Sequence, residues 1–300
     1  MNTAFLFSGQ GAQTVGMGKE LLEKYTSSKA VFDKANDVLG YDIKKIIFEG
    51  PEENLTNSQN CQPAIFTVSV AYLRAFEESI KNRPIIPAFL AGLSLGEWTA
   101  LYVANVVSFE DTLRILAARG AFMQEACEAN PGAMLSVIGL PYEIVSKLAE
   151  ETSCFVANVN SPEQVVLSGS RDSIDKAINL AKQYGAKKVV MLAVSGAYHS
   201  PLMKMAALKF EKFIENITFS APKIPVISNV TALPHSSNPS EIKKTMIAQI
   251  TSSVQWLDSI KYIASKGIST FYEFGPGKVL TGLVKRIVDG ANLYNNPLGI

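Results

Sequence analysis

Short apolar runs and stretches with apolar residues every three or four positions follow one another along most of the chain. Ala4–Phe7 reads as a short buried strand, and Ser8-Gly9-Gln10-Gly11-Ala12-Gln13 as the loop after it. Helical spacing follows over Ser28–Leu39, Ile43–Phe48 and, more strongly, Ala64–Lys81. Pro63 stands just before the last of these, at a helix start where its missing N–H costs little. Ala88–Leu90 is strand-like, Trp98–Asn105 helical, and a longer helix runs from Phe109 to about Glu128.

Beyond Pro131-Gly132 the rhythm changes. Ala133–Ile138 reads as a strand, Tyr142–Glu150 as a helix, and Phe155–Val159 and Gln164–Leu167 as strands parted by the turn-rich Asn160-Ser161-Pro162-Glu163. Asp172–Tyr184 is then helical and Lys187–Leu192 a strand. The order β-α-β-β-α-β is the ferredoxin-like pattern. Because α/β character resumes afterwards, we expect 130–194 to be an inserted domain, with 1–129 and 195–300 forming one discontinuous catalytic domain. The remainder reads as a helix through Ile214, strand Pro225–Ser228, helices Glu241–Ile250 and Val254–Lys266, strand Thr270–Phe274 and helix Val279–Val288.

Composition narrows the class more than the function. With 47% hydrophobic and 18% charged residues the chain is that of a globular protein with ample core. A formal net charge of +1 gives no reason to expect nucleic acid or an anionic membrane as a bulk partner. Cys61, Cys127 and Cys154 lack paired or metal-ligand spacing, so we expect no metal and a reducing, cytoplasmic setting. Met1-Asn2-Thr3 leads straight into an apolar strand with no basic segment, which argues against a signal peptide, and no apolar run approaches a membrane span.

Three stretches carry chemistry. Gly92-x-Ser94-x-Gly96 lies between a strand and a helix, the setting of a nucleophile elbow, although a serine in an ordinary glycine-rich turn has the same spelling. Arg119, in Ala117-Ala118-Arg119-Gly120-Ala121-Phe122, has small or apolar neighbours, which suits either a snorkelling surface arginine or a buried functional one. The chain has two histidines. His235 sits in the polar, proline-bounded loop Leu233–Pro239 and is expected to be exposed, whereas His199 follows the inserted segment at a loop-to-helix junction and is the better base for a serine nucleophile. The Gly9/Gly11 loop misses the third glycine of a dinucleotide fingerprint, since Thr14 stands there.

Phe7-Ser8-Gly9-Gln10-Gly11-Ala12-Gln13, Gly92-x-Ser94-Leu95-Gly96-Glu97, Arg119-Gly120-x-Phe122-Met123-Gln124, Ala197-Tyr198-His199-Ser200, Gln249-Ile250-Thr251-Ser252 and Glu273-Phe274-Gly275-Pro276-Gly277 together resemble the malonyl-CoA:acyl carrier protein transacylase family, in order and over essentially the whole chain. The resemblance implies an α/β-hydrolase-like large domain with a ferredoxin-like insertion. It implies transfer of a malonyl group from malonyl-CoA to the phosphopantetheine thiol of an acyl carrier protein, with no bound cofactor. By the same resemblance Ser94 is the nucleophile and His199 the base, and the main-chain N–H groups of Gln10 and Leu95 form the oxyanion hole. The main-chain carbonyl of Gln249 orients the histidine, Arg119 pairs with the malonyl carboxylate, and Tyr198 blocks space beside the α-carbon. An arginine suits that task because its planar fork makes two parallel charge-assisted bonds to a carboxylate.

One position departs from the family. Leu93 stands where a histidine usually precedes the nucleophile; some free-standing acyltransferases of polyketide or lipopeptide assembly lines, and related editing hydrolases, carry a non-histidine residue there. Two alternatives to a transferase therefore stay open: an editing acyl hydrolase acting on carrier proteins, and a carrier-protein docking module without catalysis.

Overall fold

The computed structural model describes residues 2–194 and 196–298. The expected domain limits at residues 1, 195 and 300 lie outside the described residues. Among the described residues the fold is α/β and contains two separate sheets.

The first sheet begins with β1 (Thr3–Phe7). A helical layer follows: α1 (Leu21–Lys24), α2 (Thr26–Leu39), α3 (Ile43–Glu49), α4 (Glu52–Thr56) and α5 (Ser58–Ser79). Then come β2 (Phe89–Gly92), α6 (Leu95–Val103) and α7 (Phe109–Ala129). The second sheet is built from β3 (Gly132–Ile138), β4 (Phe155–Ser161), β5 (Gln164–Ser170) and β6 (Lys188–Met191), crossed by α8 (Tyr142–Thr152) and α9 (Arg171–Gln183). A 3₁₀ turn at Pro201–Met203 leads into α10 (Lys204–Ile214), followed by α11 (Pro239–Ala248), α12 (Trp256–Ser265), β7 (Thr270–Phe274), α13 (Val279–Val284) and β8 (Asn292–Asn295).

The first sheet runs β2-β1-β7-β8 and is parallel throughout, with β1 at its centre. Its register aligns Phe7 with both Gly92 and Phe274, so three strands end level with one another. The loops that leave them, around residues 8–13, 93–94 and 275–277, therefore meet at one carboxyl edge, where parallel α/β sheets place their sites. The second sheet is antiparallel in the order β4-β5-β3-β6, the ferredoxin-like arrangement read from the sequence.

The sequence and the structure differ in four places. Pro63 lies inside α5, not at its start, because Asn57 caps the helix a turn and a half earlier by accepting from the Gln59 N–H at 3.0 Å. Pro225–Ser228 pairs only through single bridges, Leu90 with Val226 and Ile227 with Pro234, because the chain turns back at once. The last helix stops at Val284, four residues short of the expected end, and β8 adds an edge strand that the polar Asn292 and Asn295 disguise. Short α1 and α4 carry too few apolar positions for a helical period to show.

Candidate active site

Gly92 and Gly96 make the turn after β2 possible by removing atoms. A Cβ on Gly92 would overlap the main chain of Gly96, and one on Gly96 would overlap the carbonyl oxygen of Phe7. The closeness at Gly96 sets the start of α6 against the end of β1. Between the two glycines Ser94 takes φ 54°, ψ −106°, which a non-glycine residue holds only at a cost of about 1–3 kcal/mol. Asn229 braces this conformation from both sides: its Oδ1 accepts from the Ser94 N–H at 2.7 Å, and its Nδ2 donates to the Gly92 carbonyl at 2.8 Å.

The Ser94 hydroxyl meets His199, whose Nε2 lies 2.9 Å away. On the far side of the ring, Nδ1 lies 2.9 Å from the main-chain oxygen of Gln249. A carbonyl only accepts, so Nδ1 carries the proton and Nε2 keeps a lone pair for the serine hydroxyl. His199 is 5% exposed, and burial pushes its pKa down from 6.5 to about 4. The Arg119 charge pushes the same way, against the hydrogen bonds to the main chain at Gln249 and Ser252. The imidazole is thus neutral at pH 7 and able to take a proton.

Arg119 is buried on α7. The reason lies in its neighbour: Gly120 packs against the main chain of Ser58 so closely that a Cβ would overlap it, which draws α7 onto α5. The guanidinium donates through Nη1 to Gln62 Oε1 at 2.7 Å, and through Nη2 to Gln249 Oε1 at 3.1 Å and to Ser94 Oγ at 3.2 Å. Its Nε–H is buried with no acceptor among the described residues, so one donor of the guanidinium is left unused. Burial pushes its pKa down to about 10, against the Glu97 and Tyr198 contributions, and it stays a cation at neutral pH.

The remaining expected residues lie around this group. Leu95 is the first residue of α6, whose leading N–H groups lack helical partners. Gln10 lies in the loop after β1, and the adjacent Gly9 sits so close to the elbow that a Cβ there would come within 2.5 Å of the Leu93 carbonyl oxygen. The Gln10 side chain donates to Ser58 Oγ at 3.1 Å, and Ser58 Oγ lies 2.8 Å from the Tyr198 hydroxyl, so the ring of Tyr198 is tethered at its tip. Leu93 packs against the apolar cluster that contains Ile227 and Val254. Among the described residues no group of three or more histidine, cysteine or acidic side chains could hold a metal ion.

Sequence reasoning missed Gln62, Asn229 and Glu97, and it misplaced His235. Glu97 is fully buried and its signal was present: a lone acid within the apolar run Leu95–Leu101, directly after the elbow. His235 is not exposed. Its side chain is 1% accessible, and its Nε2 lies 2.6 Å from Glu97 Oε1. The polar loop around it is held down by the His235 N–H, which donates to the Val226 carbonyl at 2.8 Å.

The arrangement has known counterparts. The family model described as "Acyl transferase domain" matches residues 4–294. The malonyl CoA-acyl carrier protein transacylase of Bacillus subtilis (strain 168) is 43% identical over 289 residues, covering 95% of this chain and 90% of that protein. An acyl carrier protein S-malonyltransferase from Vibrio cholerae superposes with a TM-score of 0.93 at 39% identity, over 98% of this chain and 96% of that one. A malonyl-transacylase in complex with its type II PKS acyl-carrier protein gives 0.93 at 36% identity, over 98% and 95%.

Proposed function

This chain belongs to the malonyl-CoA:acyl carrier protein transacylase family, and from that we propose that Ser94 carries the malonyl group between two thiols. The activity is transfer of malonyl from malonyl-CoA to an acyl carrier protein. In the first half-reaction Ser94 Oγ attacks the thioester carbonyl while its proton passes to His199 Nε2. The carbon–sulfur bond breaks, coenzyme A leaves with that proton, and a malonyl ester remains on Ser94. In the second half the phosphopantetheine thiol of the carrier gives its proton to His199 and attacks the ester, and Ser94 leaves and recovers the proton. Atoms balance with the thioester and the two thiols alone, so no step calls for a cofactor.

The other residues act on charge and shape. The N–H groups of Gln10 and Leu95 receive the developing oxyanion at the start of α6. Gln249 holds the histidine tautomer through its main-chain oxygen. Arg119 receives the malonyl carboxylate, with charge-assisted bonds of about 1.5–3 kcal/mol each. Tyr198, fixed by Ser58, closes the space beside the α-carbon. We take 130–194 as the inserted domain, supported by its separate sheet and its own core cluster. A reducing, cytoplasmic setting fits three buried free cysteines, and among the described residues no helix is long and apolar enough to cross a membrane. Leu93 is half-buried against an apolar cluster.

The observation that carries this reading is a single oxygen, Ser94 Oγ, shared by the base at 2.9 Å and a guanidinium at 3.2 Å. Intact-mass spectrometry after exposure to malonyl-CoA should show one malonyl adduct, absent in Ser94→Ala and transferred onto a holo carrier protein when that is added. An adduct that persists in Ser94→Ala would sink the assignment. Release of free malonate in place of malonyl-carrier would favour the hydrolase.

A further inference from the structure

The transfer steps leave the buried side chain of Glu97 unused. Glu97, on α6 just past the elbow, is fully buried; Gln249 Nε2 at 2.6 Å and the Asn229 N–H at 3.1 Å donate to it, and His235 Nε2 lies 2.6 Å from its Oε1. A carboxylate only accepts, so with Glu97 ionised the His235 tautomer that carries its proton on Nε2 completes a set of three donors. This has a consequence for Gln249, whose amide could be placed either way round. Glu97 on one side and the Ser94 carbonyl at 3.0 Å on the other both demand its NH₂ group. Its Oε1 must then face the opposite direction, and there it accepts from Arg119 Nη2 at 3.1 Å. The main-chain oxygen of the same residue holds His199 Nδ1. Gln249 thus serves the guanidinium with its side chain and the imidazole with its backbone. Glu97, at the shorter of the two contacts and together with the Ser94 carbonyl, fixes which end of the amide each neighbour meets, and His235, pinned by its own N–H to Val226, fixes Glu97.

We propose that Glu97 and His235 are a buried positioning pair that orients the Gln249 amide and through it the Arg119 guanidinium, so that selectivity for an acidic acyl group depends on two residues that never touch the acyl chain. This rests on the reading of Arg119 as the acyl-carboxylate site. In Glu97→Gln the new amide can donate to Gln249, which lets the Gln249 side chain invert and turn its NH₂ toward the guanidinium. Two donors then face each other, and Arg119 keeps its Gln62 acceptor on Nη1 but loses the Gln249 acceptor on Nη2.

The test compares kcat/KM for malonyl-CoA and acetyl-CoA in the wild type, Arg119→Ala, Glu97→Gln, His235→Leu and His235→Gln. The malonyl-to-acetyl ratio should fall by about tenfold or more in Glu97→Gln and His235→Leu, because a merely structural loss would lower both substrates alike. It should return to within about threefold of wild type in His235→Gln, whose amide nitrogen replaces the ring Nε2–H as donor. An unchanged ratio in Glu97→Gln and His235→Leu, with Arg119→Ala collapsing it, overturns the pair and leaves the Arg119 reading standing. An unchanged ratio in Arg119→Ala overturns that reading itself. Should the Glu97 and His235 variants not fold, ¹⁵N-histidine NMR of Ser94→Ala decides. Malonyl-CoA should shift the His235 Nε2–H signal and acetyl-CoA should not, and equal responses to both overturn the proposal.

Discussion

Ser94 and His199 both hold positive φ, 54° and 56°, in a fold where most such positions are glycines. Each is over-determined by its neighbours: the serine by Asn229, the histidine by the Gln249 carbonyl. Neutrality of His199 comes from burial beside a cation, and this sets a pH expectation. Its folded value, about 4, lies below the ordinary 6.5, so the base stays unprotonated until pH falls toward 4. The acid limb of kcat/KM should therefore lie well below 6.5, and a pH profile at fixed ionic strength that turns down at 6.5 or above contradicts the arrangement. The same shift acts on stability. Between about 4 and 6.5 the unfolded chain binds a proton here and the folded one does not, so stability rises with pH across that window. The contribution is complete above 6.5 and is lost as pH falls through the folded value. Ser94, Arg119 and His199 were legible in the sequence because each stands in a short local pattern. His235 was not, because its partner Glu97 lies 138 positions away and the surrounding prolines and serines spell an exposed loop.

At the scale of elements, the site depends on how closely α6 approaches β1. The contact is backbone on backbone, so it has no side chain that could move aside. Gly96→Ala drives a Cβ into the Phe7 carbonyl, and overpacking of this kind costs about 1–3 kcal/mol or more. Because Phe7 leads into the Gln10 loop, the same change should displace the proposed oxyanion donors and lower turnover even in protein that remains folded. Gly282 in α13 makes the control: a Cβ there meets nothing within 4 Å. Gly282→Ala should be neutral or stabilising by about 0.4–1 kcal/mol, with activity unchanged. Urea denaturation and steady-state kinetics on both variants check the contrast, and equal effects would remove the elbow's special status. Periodicity located most elements of this framework, since helix faces and buried strands repeat within a few residues. It failed at the first turn of α5, where the Asn57 cap outweighs Pro63 as a boundary signal. That stretch matters, because the first five residues of α5 include Ser58 and Gln62, the partners of Tyr198 and Arg119.

Among the described residues the buried apolar side chains form three clusters, and the antiparallel sheet borders two of them. One face of the antiparallel sheet closes a core within the inserted segment, with Leu135, Val145, Leu148, Leu167 and Ile174 beneath α8 and α9. The other face sends Met134, Ala157 and Val166 into the main core, which also contains Tyr198. Backbone bonds join the two bodies as well: the Val159 N–H donates to the Val254 carbonyl at 2.9 Å, and the Val254 N–H to the Ala157 carbonyl at 2.8 Å. The chain leaving β6 passes Met134, whose carbonyl accepts from the Leu192 N–H at 3.0 Å, and reaches His199 a few residues later. Neighbouring residues on β3 therefore separate stability from catalysis. Met134→Ala and Leu135→Ala remove similar apolar volume at buried positions, and each should cost about 2–5 kcal/mol of stability. Leu135→Ala hollows the insertion's own core and should leave kcat/KM near wild type at temperatures where the protein is folded. Met134→Ala loosens the main core that also contains Tyr198, beside the segment that leads to His199, and a displacement of the proposed base by a fraction of an ångström should lower kcat/KM by about tenfold or more. Thermal melts establish the folded range for each variant, and malonyl transfer is then measured within it. If Leu135→Ala lowers kcat/KM as far as Met134→Ala does, the insertion acts on the site as one body, and the face that β3 turns toward the main core has no separate part in placing His199.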